Sequence, residues 1–483
     1  MRLHTFVAAI GAAFVLSGCV TSRGLDPQGH LTDPATLHAD KSLAKGDGAT
    51  ATWPAADWWT GLGDARLSAL IEEALKDNPN LAAADARVRQ AQAQAGSADA
   101  NRAPTFNVGA GAAGAHLPEG LVGNELGHFS WTKYGYGSFN WDLDLWGGKR
   151  AEFEAAVGSQ RAAEVDARAA RIEISTNVAR AYVQLGYAFD QMDVAKAELE
   201  RSRSSRDLTR QRVAAGVDNQ IQVKQSDSEV ASAEREMAVA QRAIDSARTS
   251  LSMLLGKGPD RGLDIDRPTT MQPSTVAVPA NVPADILGHR ADLVAARWRV
   301  EAASKDIDSA KTKFLPNVTL GILAAQAAGG SDNLFSSAAR FWQVLPAVSL
   351  PIFDGGRLRA NLAGKDAQYD LAVAQYNQTL VGAVNEVADD LAGLDALNAQ
   401  LQAQQRAHDA AQQAYDLSQQ RYKAGVGSYL DSLVVRQQLL EAEQRLVSLR
   451  AEQVDTSVQL IQALGGGFRP EAGDQPVADA ATH

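Results

Sequence analysis

The 483-residue sequence contains a single cysteine. No internal disulfide can form, and no cysteine cluster can hold zinc or an iron–sulfur centre. Eight histidines are dispersed without a pair at metal spacing, and five methionines do not cluster, so no imidazole or soft-metal site is expected. No block of basic residues is present. Lys+Arg 46 against Asp+Glu 57 gives a net charge of −11, and an acidic chain without a basic stripe has no electrostatic footprint for nucleic acid. Aromatic residues are sparse at 6%. The 45% hydrophobic and 21% charged composition excludes a disordered or collagen-like chain. At roughly 150 residues per domain, the length allows about three domains.

The cysteine's position matters more than its scarcity. Arg2 is followed by a compact apolar stretch, Phe6 to Leu16, and then by Leu16-Ser17-Gly18-Cys19. The stretch is too short to span a bilayer as a helix and reads as an export signal. Leu-Ser-Gly-Cys resembles the lipobox of bacterial lipoproteins, in which the thiol is acylated and the cysteine becomes the mature N-terminus. Val20 follows rather than an aspartate that would mark inner-membrane retention, so the expected address is the outer membrane. Residues 20–55 have no periodicity and read as a flexible or loosely docked tether.

Beyond Trp53 the chain repeats itself. Asn78-Pro79-Asn80-Leu81 is echoed by Arg290-Ala291-Asp292-Leu293, and Pro104–Val108 by Pro316–Leu320. Leu145-Trp146-Gly147-Gly148-Lys149 returns as Phe353-Asp354-Gly355-Gly356-Arg357. Arg212–Val217 returns as Arg421–Val426, and Leu255-Gly256 as Leu464-Gly465. Five matches in one order, all offset by 208 to 212 residues, mean two copies of one unit. The expected organisation is a signal peptide (1–18), a lipidated tether (19–55), a first repeat (56–258), a linker (259–283), a second repeat (284–466) and a disordered tail (467–483).

Each copy begins with a helix (Leu81–Arg102; Leu293–Phe314) that ends at a proline. Two extended segments and a Gly-Gly pair follow. From Gly147 to Val213 and from Gly355 to Tyr422 there is no proline, which predicts helices roughly 100 Å long at 1.5 Å per residue. Glycine turns at Gly216 and Gly425 lead into return helices. Val230, Ala233, Met237, Ala240, Ile244, Ala247, Leu251 and Leu254 alternate steps of three and four. Leu433, Gln437, Leu440, Gln444, Val447, Ala451, Val454, Val458 and Ile461 do so with two polar exceptions. Such stepping predicts coiled-coil hairpins.

The extended segments alternate: Phe106, Val108, Ala110 and Ala112; Phe139, Trp141, Leu143 and Leu145; Val318, Leu320, Ile322 and Ala324; Val344, Val348, Leu350 and Ile352. A soluble sandwich alternates likewise. However, residues 104–146 and 316–353 hold 12 of the 29 aromatics, as interfacial girdles of a membrane barrel require. Four strands leave two open edges, which hydrocarbon does not tolerate. If the strands lie in lipid, several copies must share one barrel, and three would supply twelve strands.

Signals for catalysis are weak. Gly109-Ala110-Gly111-Ala112-Ala113-Gly114 matches a dinucleotide fingerprint, but it lies within a strand instead of opening a helix. Asp389-Asp390 reads as a solvated helix face. No nucleophile–base constellation is visible, and the protein is not expected to be an enzyme.

These features together resemble the TolC-like outer-membrane efflux factors, in their lipid-anchored drug-efflux branch. The resemblance covers residues 53–466 and is most specific at Trp-Gly-Gly-Lys, Asp-Gly-Gly-Arg and the Arg/Tyr-x-x-Gly turns. It implies a mainly α fold with a membrane β-barrel: a homotrimer sharing twelve strands, continued by a periplasmic tunnel of long helices. It implies passive export of small molecules such as drugs and amphiphiles, with a periplasmic adaptor and an inner-membrane pump, often of the resistance–nodulation–division class. No cofactor is implied apart from covalent lipid on Cys19. Asp431 matches a carboxylate that lines the family's closed periplasmic gate, with Tyr422 beside it; a second carboxylate, three residues on, is replaced by Val434. Arg212, Gly216, Val217, Gly425 and Val426 would form the adaptor-docking tips. The alternative readings are a periplasmic adaptor lipoprotein, a type I secretion outer-membrane channel or a non-transporting envelope spacer.

Overall fold

The structure, a computed structural model, describes residues 21–43, 53–116, 129–269, 271–273, 286–329, 332–471 and 473–474. Cys19 and the export signal lie outside the described residues. Eleven principal elements follow one another: α1 (Ala65–Asp77), α2 (Pro79–Ala100), β1 (Thr105–His116), β2 (Phe129–Leu143), α3 (Gly148–Ala214), α4 (Gln220–Leu254), α5 (Ala291–Thr312), β3 (Asn317–Gly329), β4 (Arg340–Ser349), α6 (Arg357–Lys423) and α7 (Tyr429–Ala463). The order helix, two strands, long helix, return helix occurs twice, as the repeated motifs require. Both long helices have 67 residues and both return helices have 35.

Two compact units divide the chain. The first comprises Met1–Leu31, Val88–Ala163 and Ala296–Tyr376; the second comprises Thr32–Arg87, Glu164–Ala295 and Asn377–His483. Helices α3 and α6 contribute to both.

The first unit holds the sheet, antiparallel in the order β1-β2-β3-β4. Its register sorts most of the side chains by face. Phe106 pairs with Phe139, Phe139 with Ile322, and Ile322 with Val344. The neighbouring rows on that face include Trp141, Leu320 and Pro346, and Val108, Ala324 and Trp342. The opposite face carries Asn107, Ser138, Asn140, Tyr134, Tyr136, Thr319 and Gln343. Period-two alternation thus makes one face predominantly apolar and the other more polar, although Lys133 shares the first face and Leu323, Phe341 and Leu345 share the second. The apolar face is bare in the protomer: Val108 is 76% exposed and Trp342 77%. Pro346 lies on β4, an edge strand of this four-strand sheet, the kind of strand to which proline within sheets is mostly confined.

Three strand boundaries differ from the sequence reading. Strand β2 starts at Phe129, ten residues before Phe139, because Lys133, Gly135 and Gly137 hide its strand character. Strands β2 and β4 end at Leu143 and Ser349, so Leu145, Leu350 and Ile352 belong to the turns that follow. The segment after the lipobox is docked in this unit. The Asp370 carboxylate accepts from the N–H groups of Gln28 and Gly29 at 2.8 and 2.6 Å, and Arg359 donates to the Thr21 carbonyl at 2.6 Å.

Among the described residues, the largest apolar core is in the second unit. Val178, Tyr182, Leu185 and Met192 of α3 pack with Ile244 and Leu251 of α4, Val458 and Ile461 of α7, and Leu67 and Ile71 of α1. All eight residues predicted for the α4 stripe are buried or packed against buried clusters. Helix α1 went unread in the sequence, although Asp64 caps Arg66 N at 2.9 Å and Leu67, Leu70, Ile71 and Ala74 form a one-sided stripe.

The α7 stripe needs correction. Its tip-proximal half buries Ser432, Arg436, Leu439 and Leu446, one residue before Leu433, Gln437, Leu440 and Val447. Gln437 and Gln444 are exposed, as polar residues should be. The chain just past residue 466 is packed, and residues 475–483 lie outside the described residues. Phe468 is buried under the Arg168 guanidinium at 5.2 Å, and Asp474 receives a 2.5 Å bond from Arg168. Arg168 of α3 thus ties down both Phe468 and Asp474. Asp390 departs from a solvated face as well. Burial, followed by the charges of Asp389 and Glu386, pushes its pKa up to about 6.

Candidate functional site

The far ends of the two helical hairpins hold the residues singled out by the sequence. Each turn is built by the same device. Gly216 has φ +74° and Gly425 φ +78°, conformations that glycine adopts without a Cβ penalty. Val217 N donates to Arg212 O at 2.9 Å and Gly216 N to Val213 O at 3.0 Å. Val426 N donates to Arg421 O and Gly425 N to Tyr422 O, both at 3.1 Å. This paired pattern satisfies the last carbonyls of each long helix. A capping box then starts each return helix, Asn219 with Gln222 and Ser428 with Asp431.

Between the two turns the halves cease to be equivalent. Tyr422, 1% exposed, donates its hydroxyl to Asp218 Oδ2 at 2.6 Å. Arg212 Nε donates to the same oxygen at 2.8 Å, and its Nη1 donates to Tyr422 O at 2.7 Å. The guanidinium lies 4.4 Å from the centre of the Tyr422 ring, within cation–π range. Thr209 Oγ1 is 3.3 Å from the Tyr422 hydroxyl. Residues close to one turn, Thr209, Arg212 and Asp218 beside Gly216, thus lock the other turn's tyrosine in place.

The electrostatics follow. Burial raises the Asp218 carboxyl pKa, but the hydrogen bonds from Arg212 and Tyr422 outweigh this and hold it below the usual carboxylate range. Burial and the neighbouring Asp218 carboxylate push the Tyr422 hydroxyl up, so it remains a donor. The hydrogen bond to Asp218 raises the Arg212 pKa further.

The sequence-derived residues therefore separate into two groups. Val217 and Val426 are exposed at the turns, 59% and 69%, beside Gly216 and Gly425. Arg212 and Tyr422 are turned inward and brace one turn against the other, so neither presents a free surface. Asp431 is fully exposed on the first turn of α7. The Ser428 side chain, and then the Ser428 N–H that donates to the Asp431 carboxylate at 3.2 Å, lower its pKa. Leu430 and Val434 flank it, also exposed. Asp218 was missed from sequence. A signal existed: at the repeat offset of 209 it corresponds to Gly427, so the carboxylate is where the copies diverge. Among the described residues no cluster of His, Cys, Asp and Glu could hold a metal ion, and no helix is long and apolar enough to cross a membrane.

Comparison with known proteins agrees with this architecture. The profile of the outer membrane efflux protein family matches residues 70–257 and 282–466. The chain is 36% identical over 368 residues to the fusaric acid resistance protein FusA of Burkholderia cepacia, covering 75% of this chain and 69% of that protein. It is 29% identical over 476 residues to the multidrug resistance outer membrane protein MdtP of Shigella flexneri, covering 95% and 96%. Among solved structures, the outer membrane protein VceC of Vibrio cholerae superimposes with a TM-score of 0.81 at 37% identity, covering 86% of this chain and all of that one. The chain belongs to the outer membrane efflux protein family.

Proposed function

We propose that the protein is the outer-membrane channel of a tripartite efflux pump. In this reading it passively exports small molecules, drugs and amphiphiles among them, delivered by an inner-membrane pump of the resistance–nodulation–division class through a periplasmic adaptor. The observation that carries this reading is the sheet. Its four strands of 10 to 15 residues are long enough to cross the hydrocarbon when tilted. One face is apolar and bare, and the edges of β1 and β4 have no partner strand within the sheet. A homotrimer closes both edges and yields a twelve-strand barrel with an apolar exterior and a polar lumen. The MdtP relative bears the name of a multidrug resistance outer membrane protein. An adaptor lipoprotein would have one hairpin between soluble β-domains, whereas this chain has two hairpins and a four-strand sheet.

Light scattering in detergent, corrected for bound detergent, is expected to give the mass of three protomers, and those trimers are expected to conduct ions in planar bilayers. A stable conducting monomer would refute the closure argument. Trimers that never conduct would favour an envelope spacer. Mass spectrometry of the mature protein is expected to show an acylated Cys19 as its first residue; an unmodified thiol would remove the lipoprotein assignment.

At the tip, Gly216, Val217, Gly425 and Val426 present the surface on which the adaptor docks, and Asp431 lines the entrance. Three Asp431 carboxylates around one axis would attract cations. Asp431→Asn keeps an acceptor for Ser428 N–H but removes the charge. It is expected to raise single-channel conductance and weaken block by divalent cations, both measured in bilayers. Parent-like ion selectivity in this variant would move the gate elsewhere.

A further inference from the structure

The seam between the two hairpins of the second unit changes character along its length. Away from the tips it is apolar, as the Tyr182, Ile244, Leu251 and Val458 cluster shows. Towards the tips it buries Glu198, Ser202, Ser205 and Thr209 of α3, Ser226 of α4, and Ser432 and Arg436 of α7. Coiled-coil seams normally hold apolar knobs at such positions, and a polar residue there sacrifices stability.

Five charged residues stand where the two regimes meet. Arg201 grips Glu443 with both terminal nitrogens, at 3.0 and 2.6 Å, and donates to Glu198 at 3.0 Å. Arg436 reaches Glu198 at 3.3 Å and also pairs with Glu229. Glu198 further accepts from Ser202 at 3.2 Å. The side chains of Glu198 and Arg436 are 8% and 7% exposed. Burial disfavours the charged form of Arg436 and lowers its pKa; for Arg201 burial acts likewise, but Glu443 and Glu198 outweigh it.

Two features suit this cluster to motion. It holds three carboxylates and two guanidiniums, with Glu198 shared by both arginines. Movement of α7 against α3 and α4 can therefore exchange one carboxylate for another without stranding a buried charge, which would otherwise be costly. In addition, no residue of α6 between Asn398 and Arg421 is buried in the protomer. On the tip side, the α6–α7 hairpin meets α3 and the turn after it through polar contacts, the Tyr422 hydroxyl with Asp218 at 2.6 Å and with Thr209 at 3.3 Å, which water can replace.

We propose that the Glu198–Arg201–Glu229–Arg436–Glu443 cluster is the hinge of channel opening, the point at which the tip-side part of α6–α7 swings away from α3–α4 while the apolar seam stays closed. This rests on the channel reading above. The spare carboxylate supplies the freedom, and removing it should stiffen the hinge.

The test uses the full-length trimer carrying Tyr422→Phe to loosen the tip. Glu229→Gln is nearly isosteric and leaves two carboxylates for two guanidiniums. Added to that background, it is expected to lower conductance at least threefold and to slow amide hydrogen exchange in residues 398–421, with exchange in residues 174–192 unchanged. A second variant, Glu198→Leu/Glu229→Leu/Arg436→Leu, leaves the Arg201–Glu443 pair intact. It should lower conductance at least tenfold and raise the temperature at which trimers dissociate, because apolar replacement of a complete buried ionic group is often stabilising. If Glu229→Gln conducts and exchanges as the Tyr422→Phe background does, the hinge assignment is overturned while the channel reading stands. If the Tyr422→Phe trimer itself does not conduct, the channel reading fails first, and the hinge with it.

Discussion

Tyr422→Phe is expected to raise the fraction of open channels about ten- to a hundredfold, because a hydrogen bond to a charged group contributes roughly 1.5–3 kcal/mol. The hydroxyl removed donates to Asp218 at 2.6 Å in a nearly dry setting. Arg212→Ala should go further, since that guanidinium also holds the Tyr422 carbonyl and lies over its ring. The measurement is mean conductance at fixed voltage, with trimer content checked on unboiled gels. Parent-like conductance from intact trimers of both variants would show that the brace does not keep the tip closed. The pH dependence has a definite sign. The Asp218 carboxyl titrates below its ordinary value of 3.8, so the brace is complete above that value and is lost only as pH falls through the depressed pKa. Between pH 5 and 8 the brace should not change, and any conductance change there must arise from other groups.

Val344→Arg is expected to abolish assembly in the outer membrane. Val344 stands in the row Phe106, Phe139, Ile322 and Val344 on the apolar face, half-exposed in the protomer. An arginine on the lipid side of a barrel costs about 2–4 kcal/mol near the midplane, and a trimer carries three. Ser138→Arg, on the opposite face of β2, should assemble and instead alter ion selectivity. Heat-resistant trimers in membrane fractions report the first effect and reversal potentials the second. Equal loss of trimers in both variants would contradict the assignment of the two faces.

The architecture was legible because it was written twice. Motifs such as Trp146-Gly147-Gly148-Lys149 and Asp354-Gly355-Gly356-Arg357 recur at one spacing, and the structure places both between a strand and a long helix. The α4 stripe was legible because its residues are apolar and face an apolar seam. The tip-side half of α7 was not, since a helix that buries Ser432 and Arg436 offers periodicity analysis a misleading set of leucines one position away. Strand β2 was half hidden because glycine, serine and lysine lower β-propensity even where cross-strand tyrosines hold the ladder. The brace at the tip was half legible. Arg212 and Tyr422 stood out beside their glycines, but Asp218 joins them only in space.

The tyrosines on the polar face have a consequence for pore calibre. Gly109 faces Tyr136 and Gly111 faces Tyr134 across the β1–β2 ladder, and the two rings stack with centroids 6.4 Å apart. A Cβ at Gly109 would meet the Tyr136 ring at 2.6 Å, and one at Gly111 would meet the Tyr134 hydroxyl at 2.7 Å. The glycines are therefore beds in which the rings lie flat along the wall, an arrangement that also covers otherwise bare backbone. In a twelve-strand barrel, six tyrosines would be folded down in this way. Any side chain at Gly109 would tip Tyr136 upright into the bore. In the proposed barrel, the room that Tyr134 and Tyr136 leave for a passing solute thus depends on two residues that have no side chain at all.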